Sequence, residues 1–156
     1  MKRDVVFSRD KQYRYLLSRV WEEHLPIVTF VGLNPSVADD VDDDPTTKRC
    51  MDFAKRWGFG GVKLVNLFAH VSTDRKALRT TLDPIGPEND DYLISSYKNS
   101  DIIVAAWGND GKLLSRARMV RKHIPVMLCL DINKSGEPKH PLYVKSGALP
   151  YLYCDC

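Results

Sequence analysis

Short, almost unbroken apolar runs alternate along this chain with longer segments of helical period, and that alternation predicts its elements. Residues 5–8 (VVFS) are followed by the polar turn Arg9-Asp10-Lys11, after which Tyr13, Tyr15 and Leu17 alternate with Arg14, Leu16 and Ser18. A run, a turn and an alternating run predict an antiparallel hairpin. Residues 26–33 (PIVTFVGL) are β-branched and aromatic with hardly a polar side chain, the pattern of a strand buried on both faces. Residues 62–68 (VKLVNLF), 101–107 (DIIVAAW) and 125–130 (PVMLCL) repeat that pattern. Between these runs lie residues 46–57, with Met51, Phe53, Ala54 and Trp57 on one side, residues 88–100, opened by Pro87, and residues 109–123. All three predict helices, the first capped by Asp44 or Thr46 and ended by Gly58, Gly60 and Gly61.

Strands that alternate with helical segments of roughly 10–15 residues predict βα units. The expected fold is one three-layer α/β/α domain over residues 1–156, with a central, mostly parallel four-stranded sheet and an N-terminal antiparallel hairpin. The 156 residues are enough for one core, and no repeat, low-complexity tract or linker divides them. Such folds bind ligands beyond the C-terminal ends of their strands. The four ends carry Gly32-Leu33-Asn34-Pro35-Ser36, Asn66, Gly108-Asn109-Asp110-Gly111, and the loop at 134–141 with Ser135 and His140. One polar loop means little, but four converging on one edge predict a site.

Each candidate has a chemical and a purely structural reading. Gly32 permits close approach and Pro35 stiffens the turn. Asn34 is suited to position a water or a substrate amide, or to make a local turn bond. Ser36 is suited to contact a phosphate, or belongs simply to the turn. Asn66 stands in an apolar strand, where an unpartnered amide costs roughly 1–3 kcal/mol; it either bonds to backbone or reads the edge of a planar ligand, as amides do on nucleobases. His140 is either an exposed loop histidine or a donor to a developing oxyanion. Five aspartates crowd residues 39–44. Being contiguous, they cannot all face one point, so a solvated loop competes with a magnesium site. Asp44-Pro45-Thr46 differs, since it stands at a helix start, where anions are favoured.

The net charge of +3 permits contact with nucleic acid without demanding it. Lys112, Arg116, Arg118, Arg121 and Lys122 form a basic segment, either a phosphate-binding face or a solvated one. Cys50, Cys129, Cys154 and Cys156 contain no C-x-x-C pair, so buried or free thiols in a reducing cytoplasm are expected rather than a zinc ribbon or disulfides. No signal peptide opens the sequence, and no apolar run approaches the ~20 residues of a membrane span. Walker, dinucleotide, nucleophile-elbow and zincin motifs are all missing.

Tyr13-Arg14-Tyr15, Gly32-Leu33-Asn34-Pro35-Ser36, Asp43-Asp44-Pro45-Thr46, Val65-Asn66-Leu67-Phe68-Ala69, Gly86-Pro87-Glu88-Asn89-Asp90, Ala105-Ala106-Trp107-Gly108 and His140-Pro141-Leu142-Tyr143 together resemble the pattern of the bacterial and phage family named domain of unknown function 1643. More distantly, the order strand–G-x-N-P, strand–Asn, strand–Trp-Gly, loop–His-Pro is similar to the uracil-DNA glycosylase superfamily. That resemblance implies a glycosylase-like fold, with Asn34 at the attacking water, Asn66 on the base and His140 on the leaving group. Phe68 would stack on the base. Ser36 and Ser135 would meet phosphate, and Pro35, Asp44, Trp107 and Asn109 would complete the substrate-binding set. Asn34 stands where the most active members carry a carboxylate. The implied protein binds DNA or a free nucleobase or nucleotide, with no cofactor and no membrane, and hydrolyses an N-glycosidic bond. The alternative is a non-catalytic ligand- or partner-binding module on the same fold; a third reading is a magnesium-dependent phosphate enzyme.

Overall fold

The computed structural model describes residues 1–74 and 76–153. Its strands are β1 (Lys2–Phe7), β2 (Arg14–Val20), β3 (Ile27–Gly32), β4 (Gly61–Asn66), β5 (Ile102–Ala105), β6 (Leu128–Cys129) and β7 (Tyr151–Leu152), and its α-helices are α1 (Pro45–Arg56), α2 (Ala77–Thr80), α3 (Asn89–Lys98) and α4 (Arg116–His123). One mixed sheet of seven strands runs in the order β1-β2-β4-β3-β5-β6-β7. Its middle, β4-β3-β5-β6, is parallel throughout.

The sheet is larger than the four strands expected. The hairpin β1–β2 is not a separate appendage: β2 pairs antiparallel with β4, Leu17 opposite Leu64, and covers what would otherwise be an open edge. β7 does the same for β6 on the far side.

Strand alternation divides the core. Val28, Phe30, Val62, Leu64 and Val104 pack with Cys50, Phe53 and Ala54 of α1. Val31, Val65, Ile103 and Ala105 pack with Leu93 of α3 and Ala117 and Val120 of α4. From β3 the chain crosses to β4 on one side, while β5 lies on the other, so the connections diverge at the C-terminal end of β3.

Two expected elements are shorter than their patterns. Residues 109–123 do not form one helix. Residues Asn109–Ser115 form a 3-10 segment, broken where Leu114 and Ser115 both take φ of 54°, before α4 begins. Gly111 packs against the Trp107 ring so closely that a Cβ would fall 2.1 Å from Trp107 Cδ1; the chain follows that ring instead of a helical path. In 125–130 only Leu128–Cys129 pairs, against two residues on each neighbour.

The acidic run is a loop whose middle, Asp40 to Asp42, is exposed to solvent as expected, while its flanks are held as a strap. Arg19 of β2 is fully buried, 0 % exposed. Its Nε donates to Asp43 Oδ1 at 2.9 Å, and its Nη2 donates to the Asp39 carbonyl. Arg3 reaches the same Asp43 oxygen at 3.0 Å. Asp39 Oδ1 accepts from the amides of Val41 and Asp42. Among the described residues no group of three or more His, Cys, Asp or Glu side chains is placed to hold a metal ion. Asp44, not Thr46, caps α1, accepting from the Thr47 amide at 2.8 Å. Burial works to raise the Asp44 pKa, but the Ser36 hydroxyl, the Thr47 amide and the Arg14 charge outweigh it and leave it below the ordinary 3.8.

Asp44→Ala is therefore expected to cost about 0.5–2 kcal/mol in urea unfolding at pH 7. Because the folded pKa is depressed, the ionised carboxylate stabilises fully above pH 3.8 and its contribution disappears as pH falls through the lower folded value. Unfolding curves of wild type and variant should converge as the buffer is taken below that value.

Candidate functional site

A cavity of about 570 Å³ opens at the C-terminal edge of the parallel strands, within the size range of small-molecule sites. The loop after β3, the end of β4, the segment after β5, the His140 loop and the first turn of α1 all line it. Asn34, Pro35, Ser36, Asp44, Asn66, Trp107, Asn109 and His140 are brought together on its wall.

Asn66 is the best defined. It is the last residue of β4, opposite Gly32 of β3. Its Oδ1 lies 2.7 Å from the place a Cβ on Gly32 would occupy, so Gly32 is what lets the amide lie across the neighbouring strand. The backbone beneath it is fixed. Buried Asn89 donates from Nδ2 to the carbonyls of Asn66 at 2.9 Å and Leu67 at 3.1 Å, and Arg116 Nε donates to Leu67 O at 2.7 Å. Asn66 is 5 % exposed, yet its Nδ2 has no hydrogen-bond partner. Sequence left two readings open for this amide, backbone or ligand; its donor is not bonded to backbone.

Asn34 is held differently. Its Nδ2 donates to the carbonyls of Pro35, His70 and Ser72, the last at 3.0 Å. With the nitrogen so occupied, Oδ1 is the group it offers as an acceptor. His140 caps the 3-10 turn Pro141–Tyr143, with Nδ1 accepting from the Leu142 amide at 3.2 Å. In the neutral ring that places the proton on Nε2. Arg49 of α1 secures this loop, donating to the carbonyls of Pro141 and Val144 and to Ser146 Oγ.

Ser36 lines the cavity with its hydroxyl donated to Asp44 Oδ2 at 2.5 Å. Trp107 is 1 % exposed and donates from Nε1 to Glu137 at 2.7 Å. Asn109 Oδ1 accepts from Asn133 and Ser135.

Two expected contacts do not reach the cavity. Phe68 is 0 % exposed and belongs to the core beneath α3 and α4. β4 ends at Asn66, so the alternation that turns Leu64 and Asn66 toward the cavity stops before Phe68. Ser135 stands behind Asn109, spending its hydroxyl there. The basic segment at 112–122 does not line the cavity either. Arg116 is buried and paired with Asp90, and Arg121 lies over the Tyr153 ring at 4.1 Å.

Arg14, at the start of β2, is the residue the sequence reading passed over. Antiparallel pairing carries that end of β2 to the C-terminal end of β4, and the Arg14 amide donates to Ala69 O. The Arg14 side chain lines the cavity although the residue is only 3 % exposed. An arginine in an alternating apolar strand was the available signal. Cys50 also lines the cavity, but burial pushes its thiol pKa up, away from nucleophilic use. Cys129 is buried as well, while Cys154 and Cys156 lie outside the described residues.

Residues 14–142 match the family model described as Protein of unknown function (DUF1643). The chain belongs to the DUF1643 family. The matched stretch runs from Arg14 to Leu142 and so includes Asn34, Asn66, Trp107 and His140. No curated protein and no solved structure matches the chain. Among the described residues no helix is long and apolar enough to cross a membrane.

If Gly32 exists for Asn66, the two positions are coupled. Gly32→Ala should rotate the Asn66 amide out of place, and a double-mutant cycle with Asn66→Ala should show a coupling of about 0.5–3 kcal/mol in urea unfolding. Strict additivity would mean that the close approach has no energetic consequence.

Proposed function

We propose that this DUF1643 protein binds a nucleobase or nucleotide in the strand-end cavity and hydrolyses an N-glycosidic bond, in the manner of the uracil-DNA glycosylase superfamily. The observation that carries the reading is the Asn66 amide: a residue of the cavity wall, buried, fixed from below and with its donor unpartnered. A buried unpaired donor costs about 1–3 kcal/mol, which a ligand acceptor at that point would recover. An amide offers a donor and an acceptor side by side, the complement of a nucleobase edge.

The chemistry follows from the two flanking groups. Water, donating a hydrogen bond to Asn34 Oδ1, adds to the sugar carbon as the bond to the base nitrogen breaks; its surplus proton passes to solvent, and the base leaves as an anion that solvent reprotonates. Charge then develops on the departing base, where a His140 Nε2–H is a suitable donor. Asn34 is an amide and a weak base, so turnover is slow on this reading.

One observation favours a module that binds without catalysis. Asp44, the carboxylate on the same rim as Asn34, is held by Ser36 and the Thr47 amide and has a depressed pKa, so it is a poor general base. The magnesium reading loses its motive, because Asp39 and Asp43 are engaged by backbone amides and arginines.

Oligonucleotides carrying uracil, hypoxanthine or modified pyrimidines, and the corresponding free nucleotides, should be incubated with the protein and assayed for released base. Release that falls by orders of magnitude in Asn34→Ala and His140→Ala, with affinity retained, supports the hydrolase. Binding without release supports the module. Neither binding nor release across the whole set overturns the proposal. In either case Asn66→Leu, which keeps size and removes both polar atoms, should weaken binding by roughly tenfold or more.

A further inference from the structure

Arg14 presents an unmet electrostatic demand. The guanidinium is almost entirely out of water, and taking such a charge into the interior is costly unless it is paired. Yet Nη1 donates only to the Ala38 carbonyl at 3.0 Å, and Nε is buried with no partner. No ion pair joins Arg14 among the described residues. Asp44 is near enough to be felt, but its two oxygens are bonded by Ser36 and the Thr47 amide. Burial lowers the Arg14 pKa only to about 10, so the group is charged at neutral pH.

The same stretch of wall carries the N-terminus of α1, a helix of 12 residues. Pro45 has no N–H, the Thr47 amide is used by Asp44 Oδ1, and the Lys48 amide by the Asp44 carbonyl. That leaves the Thr46 amide as an unused donor in the first turn, at the end of the helix dipole that favours anions.

We infer that Arg14 and the first turn of α1 form an anion subsite of the cavity, built for the terminal phosphate of a free nucleotide. This deepens the nucleotide reading of the cavity and rests on it for the identity of the rest of the ligand. A phosphate monoester carries about −1.5 to −2 charges near pH 7 and three acceptor oxygens, which suits a guanidinium fork and a helix amide. An internal phosphodiester of DNA has a sugar on each side and a single charge. It cannot be brought to a side chain that is 3 % exposed unless the strand itself enters. The subsite therefore suits a mononucleotide or a 5′-phosphate end better than a phosphate within a polymer.

Calorimetric titration should compare nucleosides, their 5′-monophosphates, ribose 5-phosphate, inorganic phosphate, and an oligonucleotide without a terminal phosphate. Wild-type protein is expected to bind the monophosphates at least about tenfold more tightly than the nucleosides, and to ignore the oligonucleotide. Arg14→Met should erase that preference in a protein that still unfolds cooperatively, with some loss of melting temperature because the bond to the Ala38 carbonyl and the charge beside Asp44 go with it. Arg14→Lys, which keeps the charge, should retain part of the preference. Equal binding of nucleoside and monophosphate by wild type, which needs no variant, would overturn the subsite, as would an unchanged preference in a folded Arg14→Met. Base discrimination without phosphate preference sinks the subsite and leaves the base reading standing. Binding of ribose 5-phosphate and inorganic phosphate without base discrimination does the reverse.

Discussion

Where β3 and β4 run side by side to their C-terminal ends, one missing Cβ sets the character of the site. Gly32 leaves the space that Asn66 Oδ1 occupies, and everything around that contact keeps the amide there. Parallel pairing puts the two residues in register. Asn89 and Arg116 hold the carbonyls at the end of β4. The chain after Gly32 turns at once into Asn34, whose own nitrogen is tied to three carbonyls. A buried amide held so firmly at the end of a strand, with its donor unmet, carries an energetic cost that nothing among the described residues offsets.

Two arginines from one strand do different work around that centre. Arg19 is satisfied: it gathers Asp43 and the backbone of the acidic run, and with Arg3 fixes the rim that leads to α1. Arg14, five positions earlier and at the cavity wall, is not satisfied. Asp44 stands between these roles as the cap of α1, drawn toward Ser36 and Thr47 and away from a full pairing with Arg14. The rim is thus neutralised internally, while Arg14, a residue of the cavity wall, has no ion-pair partner among the described residues.

Much of this was legible before any coordinates. Buried apolar runs located the parallel strands, and the rule that ligands lie beyond strand ends singled out Asn34, Asn66 and His140, which do share a cavity. What failed did so for identifiable reasons. Phe68 sits past the end of its strand, where period-2 reasoning stops, and packs into the core. The segment at 109–123 has helical composition, but contact of Gly111 with the Trp107 ring bends it. The size of the sheet was missed because pairing of β2 with β4 is a long-range contact that no local pattern records. Arg14 was missed for the same reason: its importance comes from where antiparallel pairing delivers it. The middle of the acidic run is solvated as read, but the anchoring of its flanks was not legible because the arginines that hold them are distant in sequence, Arg19 lying 24 positions from Asp43.

The Asn66 side-chain amide is the direct reporter of the central claim. In a ¹⁵N–¹H spectrum its two N–H resonances should be followed while a nucleoside 5′-monophosphate is titrated in. Engagement by the ligand predicts large, saturable shifts of that pair and slower exchange of its protons with water, since an unpaired donor becomes bonded. A titration in which the ligand saturates the protein while the Asn66 amide resonances stay where they were would contradict the account.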